Sequence, residues 1–181
     1  MKILKILFFI LISNTIMSQN FIANTENSKI AFVIKNIGLN VNGNFSGLQG
    51  TILFDTKDLK SSSINLSVNA NSVNTDNNAR DKHLRQEEYF NVEKFPLIAF
   101  ESTKIEAAAR LNRYNIEGKL TIKGISKIIK FELITTEKEN VLDMKCNFEI
   151  NRRDFKVGGN SLVLSDKVKM NLSLIANKKI L

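Results

Sequence analysis

Alternation with a period of two, repeated from one end of the chain to the other, limits this sequence to one kind of fold. In Ile64-Asn65-Leu66-Ser67-Val68-Asn69-Ala70-Asn71 every apolar side chain is flanked by polar ones. A strand places successive side chains on opposite faces, so such a segment buries one face and wets the other. The same pattern runs through residues 114–122, 142–150 and 168–176, and more weakly through 28–35, 41–54, 97–105 and 127–136. Together these predict about eight antiparallel strands, each with one solvated face. Lys123-Gly124-Ile125-Ser126 reads as a glycine-containing hairpin, and Glu137-Lys138-Glu139-Asn140 as a charged turn. Eight strands close more readily into a barrel than they spread into an open sheet, because closure removes exposed edges.

One connection breaks the pattern. Residues 73–95 lack alternation and carry Asn74-Thr75-Asp76-Asn77-Asn78 ahead of good helix formers. Asx residues and Thr in that place predict an N-cap and a short helix. A connection this long in a β protein is often functional or a cover, and a lid over one barrel end fits it.

The first eighteen residues follow other rules. Lys2 and Lys5 precede an unbroken apolar run, Ile6 to Ile12, and Ile16-Met17-Ser18 ends the segment ahead of Gln19. Charge, apolar stretch and small-residue end are the order of a secretory signal peptide, and a bilayer span takes about 20 apolar residues. Residues 1–18 are therefore read as a signal peptide and 19–181 as one β-barrel domain, periplasmic or secreted, with no transmembrane segment after cleavage. No Cys follows the apolar run to carry a lipid anchor.

Composition excludes several functions. A single Cys forms no internal disulfide, and one His with one Cys lacks the ligand spacing of a zinc site, so no metal is expected. The net charge of +8 could suit nucleic acid, but the lysines are dispersed along strand faces without stacking aromatics among them, and no nucleic-acid partner is expected. Cys146, between Met144 and Phe148 on the apolar face of its strand, reads as a small buried hydrophobe. Arg152, Arg153 and Asp154 close the same strand and read as a solvated rim, with contact to an anionic head such as a diphosphate as the weaker alternative.

Specific motifs then narrow the fold. Val41-Asn42-Gly43-Asn44-Phe45-Ser46-Gly47-Leu48-Gln49-Gly50, Arg80-Asp81-Lys82-His83-Leu84-Arg85 and Phe95-Pro96-Leu97-Ile98-Ala99-Phe100-Glu101-Ser102-Thr103 occur in that order. They are followed by Gly118-Lys119-Leu120-Thr121-Ile122-Lys123-Gly124 and Ile150-Asn151-Arg152-Arg153-Asp154-Phe155. In this order and spacing, from about Phe21 to Lys178, the chain resembles the YceI-like lipid/polyisoprenoid-binding family. The resemblance implies an all-β, lipocalin-like eight-stranded antiparallel barrel of exported bacterial proteins, whose apolar pore holds an isoprenoid-type chain without a cofactor. Three positions depart from the family pattern: Asn27 and Asn36 stand where histidines are common, and Lys156 stands where a glycine usually follows the Asp-Phe pair.

An eight-stranded barrel is either filled by its side chains or just wide enough for one small ligand. If the pore is open, alternation assigns its lining to Phe32, Phe45, Phe54, Leu66, Val68, Phe100, Leu120, Phe131, Met144, Phe148, Met170 and Leu172. Flat Phe walls and adaptable Met suit a flexible hydrocarbon, though the same residues could simply fill a core. Arg80, Asp81, His83 and Arg85 form a polar set at the lid or mouth, either anchoring the lid or meeting a ligand's head. Asp81 and His83 are two residues apart and do not face each other on a helix, so no catalytic residue is assigned. The sequence reading is thus a binding protein, not an enzyme, for a polyisoprenoid, quinone-like or other long-chain lipid. A hydrolase or isomerase acting on a hydrophobic substrate and an interaction protein with a filled barrel are the alternatives, and oligomeric state, homodimer included, is left open.

Overall fold

The computed structural model describes residues 19–179, so the signal-peptide segment lies outside the described residues. Ten strands form one antiparallel sheet in the order β1-β4-β5-β6-β7-β8-β9-β10-β2-β3, and an extra pairing of β1 with β10 closes it. They are β1 (Gln19–Ala23), β2 (Lys29–Asn36), β3 (Leu39–Phe45), β4 (Gln49–Phe54) and β5 (Ser63–Asn69), then β6 (Leu97–Ala107), β7 (Arg113–Ile122), β8 (Ile125–Lys138), β9 (Val141–Asn151) and β10 (Leu164–Lys178).

Ten strands occupy eight positions. β2 and β1 follow one another along the same edge of β10, at residues 164–173 and 176–178. β3 pairs with β2 while β4 pairs with β1. Residues 41–54, expected as one strand, are therefore divided at Ser46-Gly47-Leu48, where Gly47 takes a φ of 73° that favours glycine. The 24–28 turn breaks β1 from β2 at the same height, with the Asn24 side chain accepting from the backbone N–H of Glu26 and Asn27. The two breaks are joined, Thr25 Oγ1 donating to the Leu48 carbonyl at 2.7 Å. Strand β1 was not expected from the sequence, because Asn20-Phe21-Ile22-Ala23 is too short for alternation to show. It is nonetheless the closing piece: Phe21 faces Ile52 of β4 on one side and Lys178 of β10 on the other.

The Lys123-Gly124 hairpin is observed, Ile122 pairing with Ile125 across two residues at positive φ, as a type I′ turn requires. The long connection contains a single α-helix, α1 (Asn78–Leu84), whose cap Asn77 accepts from the Arg80 N–H through its side chain. A 3₁₀ turn, Arg152–Phe155, ends in Lys156 at φ 53°, ψ 35°. The missing glycine has thus not abolished the turn. A lysine occupies the left-handed region at a cost of roughly 1–2 kcal/mol.

Replacing Lys156 with glycine keeps the backbone carbonyl that accepts from Lys123 Nζ at 2.9 Å and removes this strain. Lys156→Gly should stabilise the protein by about 1 kcal/mol, seen as a rise of roughly 2–4 °C in Tm. A lower Tm would mean that the lysine side chain holds the turn.

Candidate functional site

The inward-facing residues change character along the barrel. On β9, Leu142, Met144 and Cys146 are buried whereas Phe148 and Ile150 are half-buried. On β10, Leu174 and Ala176 are buried whereas Val168, Met170 and Leu172 are half-buried. At the base the bore is filled by Phe21, Ile52, Phe54, Tyr114, Ile116 and Leu142, all buried, with Phe54 edge-on to Tyr114 at 5.0 Å. Above this plug lies a cavity of about 640 Å³, within the range of roughly 300–1,000 Å³ typical of small-molecule sites.

Of the twelve residues assigned to the pore by alternation, Phe32, Phe45, Leu66, Val68, Phe100, Leu120, Phe131, Met144, Phe148, Met170 and Leu172 all line this cavity. Phe54 does not. It faces inward as expected, but at the filled end. The aromatic lining is ordered, with Phe131 stacked on Phe148 at 4.9 Å and tilted against Phe100 at 5.5 Å. Opposite them Phe32, Phe45 and Phe90 continue at 5.6 and 5.5 Å. Two glycines let rings lie back against the wall. A methyl group at Gly43 would overlap the Phe32 ring, and one at Gly118 the Phe100 ring, so both keep the bore open.

The polar set divides. Arg80 and His83 line the cavity, whereas Asp81 and Arg85 do not. Asp81 is buried and accepts from Thr75 N–H at 2.9 Å and Thr75 Oγ1 at 2.5 Å. Arg80 donates from Nε to Thr75 Oγ1 and from Nη2 to Thr75 O, both at 2.7 Å. Arg85 reaches the carbonyls of Asn71 and Val73. These bonds anchor α1 to the segment that enters it. His83 turns away from Asp81, its Nε2 lying 3.5 Å from Glu88 and its ring edge-on to Tyr89.

Arg152 corrects the sequence reading most sharply. Expected at a solvated rim, it is only 4% exposed. Its guanidinium donates to the carbonyls of Ser165, Val157 and Gly159 at 2.9–3.0 Å and pairs with Asp166 at 2.9 Å. The turn after Phe155 folds the chain back over the strand end and encloses it, a long-range consequence that the local charge pattern did not carry. Gly158 N–H then donates to Glu88 O, and Lys123 Nζ donates to Glu88 O and Lys156 O, so hairpin, lid and loop meet at one point. Desolvation there lowers the Lys123 pKa from its ordinary value.

Cys146 lies in the cavity floor, where desolvation pushes its pKa up to about 12. It is a thiol at neutral pH and not a nucleophile. No group of three or more His, Cys, Asp or Glu side chains lies together among the described residues, and none of their helices is long and apolar enough to cross a membrane. The cavity meets solvent where lining residues are themselves exposed, at Ala79 and His83 on the lid and at Ser161 and Val163 on the loop before β10.

A closed antiparallel barrel, plugged at one end and hollow and apolar at the other, is the architecture of a barrel that encloses a hydrophobic ligand. The YceI-like domain family matches residues 21–176, and the chain belongs to that family. A UPF0312 protein of Yersinia enterocolitica is 32% identical over 156 residues, spanning 82% of this chain and 80% of its own. The YCEI protein of Campylobacter jejuni superposes with a TM-score of 0.71 at 30% identity, over 78% of this chain and 87% of its own. BcnA of Burkholderia cenocepacia has the same fold, with a TM-score of 0.81 at 22% identity, over 86% of this chain and 99% of its own. So does a polyisoprenoid binding domain from Saccharophagus degradans, with a TM-score of 0.73 at 16% identity, over 90% of this chain and all of its own.

Two substitutions separate the roles of these groups. Arg152→Met should cost about 2–4 kcal/mol by leaving several loop carbonyls and Asp166 without their donor, whereas Arg153→Met should change stability by less than about 0.5 kcal/mol. Chemical denaturation of both variants checks this. Gly43→Ala should fold at a cost of about 1–3 kcal/mol, and take up less of an apolar fluorescent probe, because the added methyl pushes the Phe32 ring into the cavity.

Proposed function

We propose that the protein is an exported carrier, not an enzyme, that holds one polyisoprenoid, quinone-like or other long-chain amphiphile in the upper half of its barrel. The observation that carries this reading is the hollow interior itself. Ring after ring faces a space that protein atoms do not fill, and a dry cavity with so few polar groups suits a hydrocarbon. A barrel filled throughout does not describe such an interior.

Binding follows from area. At about 0.8 kcal/mol per buried CH₂, each five-carbon unit contributes roughly 3–4 kcal/mol before entropic losses. The polar end of the ligand belongs at the lid. Arg80 uses Nε and Nη2 on Thr75, and its Nη1 has no protein partner among the described residues. With His83 it offers donors where the cavity meets water. The Saccharophagus degradans domain is described as polyisoprenoid binding, which supports an isoprenoid-type ligand. Export rests on the charged start, apolar run and small-residue end of residues 1–18.

A charge set among the rings tests the reading. Phe100→Glu should fold and lose at least roughly tenfold in affinity for a fluorescent prenyl or fatty-acyl probe, since the carboxylate must be buried by the ligand or displace it. Unchanged uptake by the folded variant would contradict the assignment of the cavity as the binding site. His83→Ala should retain bound lipid; loss of a turnover activity in that variant would instead support a hydrolase or isomerase.

A further inference from the structure

The cavity mouth carries aliphatic side chains where two ordinary rules of chain design both predict polar ones. The β2–β3 hairpin turns through Ile37-Gly38, at φ 51° and 76°. A β-branched residue in the left-handed region is an outlier, and Asn, Asp or Gly is preferred there. Other hairpins of this barrel place Lys123 and Glu139 at the corresponding left-handed position, at φ 51° and 54°. Ile37 is not only strained but 72% exposed, and Leu39, two residues on, is 73% exposed. Burial therefore does not explain the choice of isoleucine. Where a local rule is broken without gain to the fold, function is the usual reason.

The neighbouring loop repeats the anomaly. Leu162 is fully exposed and Val163 about half-exposed, and Ile37 N–H donates to Val163 O at 2.9 Å, which joins the two loop tips into one patch. Val163 also lines the cavity, as does Asn36, which pairs with Leu39 across the hairpin. The patch is thus the outer continuation of the cavity wall. Its members are aliphatic, without the Trp, Tyr or Arg that anchor most protein interfaces. Exposed Lys35 precedes it on β2, on a chain whose formal net charge of +8 is +6 once Lys2 and Lys5 are set aside, which favours anionic headgroups.

We infer that Ile37, Leu39, Leu162 and Val163 form a membrane-docking rim that inserts into the surface of a phospholipid bilayer, so that a hydrocarbon ligand passes between bilayer and cavity without crossing water. This rests on the carrier reading for its purpose, but the surface itself is tested separately. The chain from Gln19 onward contains the whole barrel, and its flotation with vesicles of phosphatidylethanolamine and phosphatidylglycerol should be compared with that of a variant combining Ile37→Asn, Leu39→Ser and Leu162→Ser. Asn at position 37 suits the turn, so the variant should unfold at no lower temperature than expected for the two serine changes alone. The unsubstituted protein should float with the vesicles, and the variant should partition roughly tenfold less or weaker still. Both should take up a fluorescent fatty-acyl probe delivered from ethanol equally. Absence of vesicle binding, equal binding by the variant, or a dimer that the substitutions dissociate without any vesicle binding would overturn the rim. Failure of the unsubstituted protein to take up the probe would count against the carrier reading alone, whatever the flotation result.

Discussion

Closing a sheet at eight positions gives the barrel a fixed bore, and every side chain that alternates inward must either fill that bore or line it. This protein does both, at different heights. Large residues from all sides meet at the base, where β1 bridges β4 and β10, and Phe21, Ile52 and Leu142 are wholly buried. Higher up, the same alternation continues on β6, β8, β9 and β10, but nothing fills the centre between Phe100, Phe131, Phe148 and Leu172. The plug stabilises the closed sheet, each fully buried large side chain contributing about 1.5–3 kcal/mol. That stability lets the upper half stay open, with Gly43 and Gly118 giving the Phe32 and Phe100 rings room to lie against the wall.

Polar side chains around the lid and the loop before β10 serve the scaffold. Asp81 and Thr75 fasten the helix to its incoming segment, Arg85 grips the carbonyls of Asn71 and Val73, and Arg152 gathers the loop before β10. Each binds backbone as well as side chains, which fixes loops that have few apolar contacts of their own. His83 sits beside Glu88 and Tyr89 on the outer part of the lid, and Cys146 is held as a thiol in the cavity floor.

Alternation in the sequence located the strands other than β1 and the face of most of their residues, because a half-buried strand must carry that pattern. Eleven of the twelve residues it assigned to the pore border the cavity, among many that it did not name, and the exception, Phe54, shows where the method stops. Period two tells inside from outside, not the height along the barrel at which filling gives way to lining. Strand β1 escaped notice because four apolar-rich residues carry no periodicity. The splitting of 41–54 was legible only in Gly47, and Arg152 looked like an exposed charge because its burial depends on a turn and a loop that follow it. The helix was legible at once, since the run Asn74 to Asn78 ahead of good helix formers satisfies local rules, although which residue of the run is the cap, Asn77, was not.

The account stands on the claim that the hollow half of the barrel is a lipid site. Native mass spectrometry of the protein purified from its own host, repeated after organic extraction, tests this most directly. The account predicts one additional mass per chain, released by the solvent as an isoprenoid or long acyl compound and absent from an unrelated exported protein prepared in parallel. A protein that carries no such mass, and that stays empty when long-chain lipids are added, would contradict it.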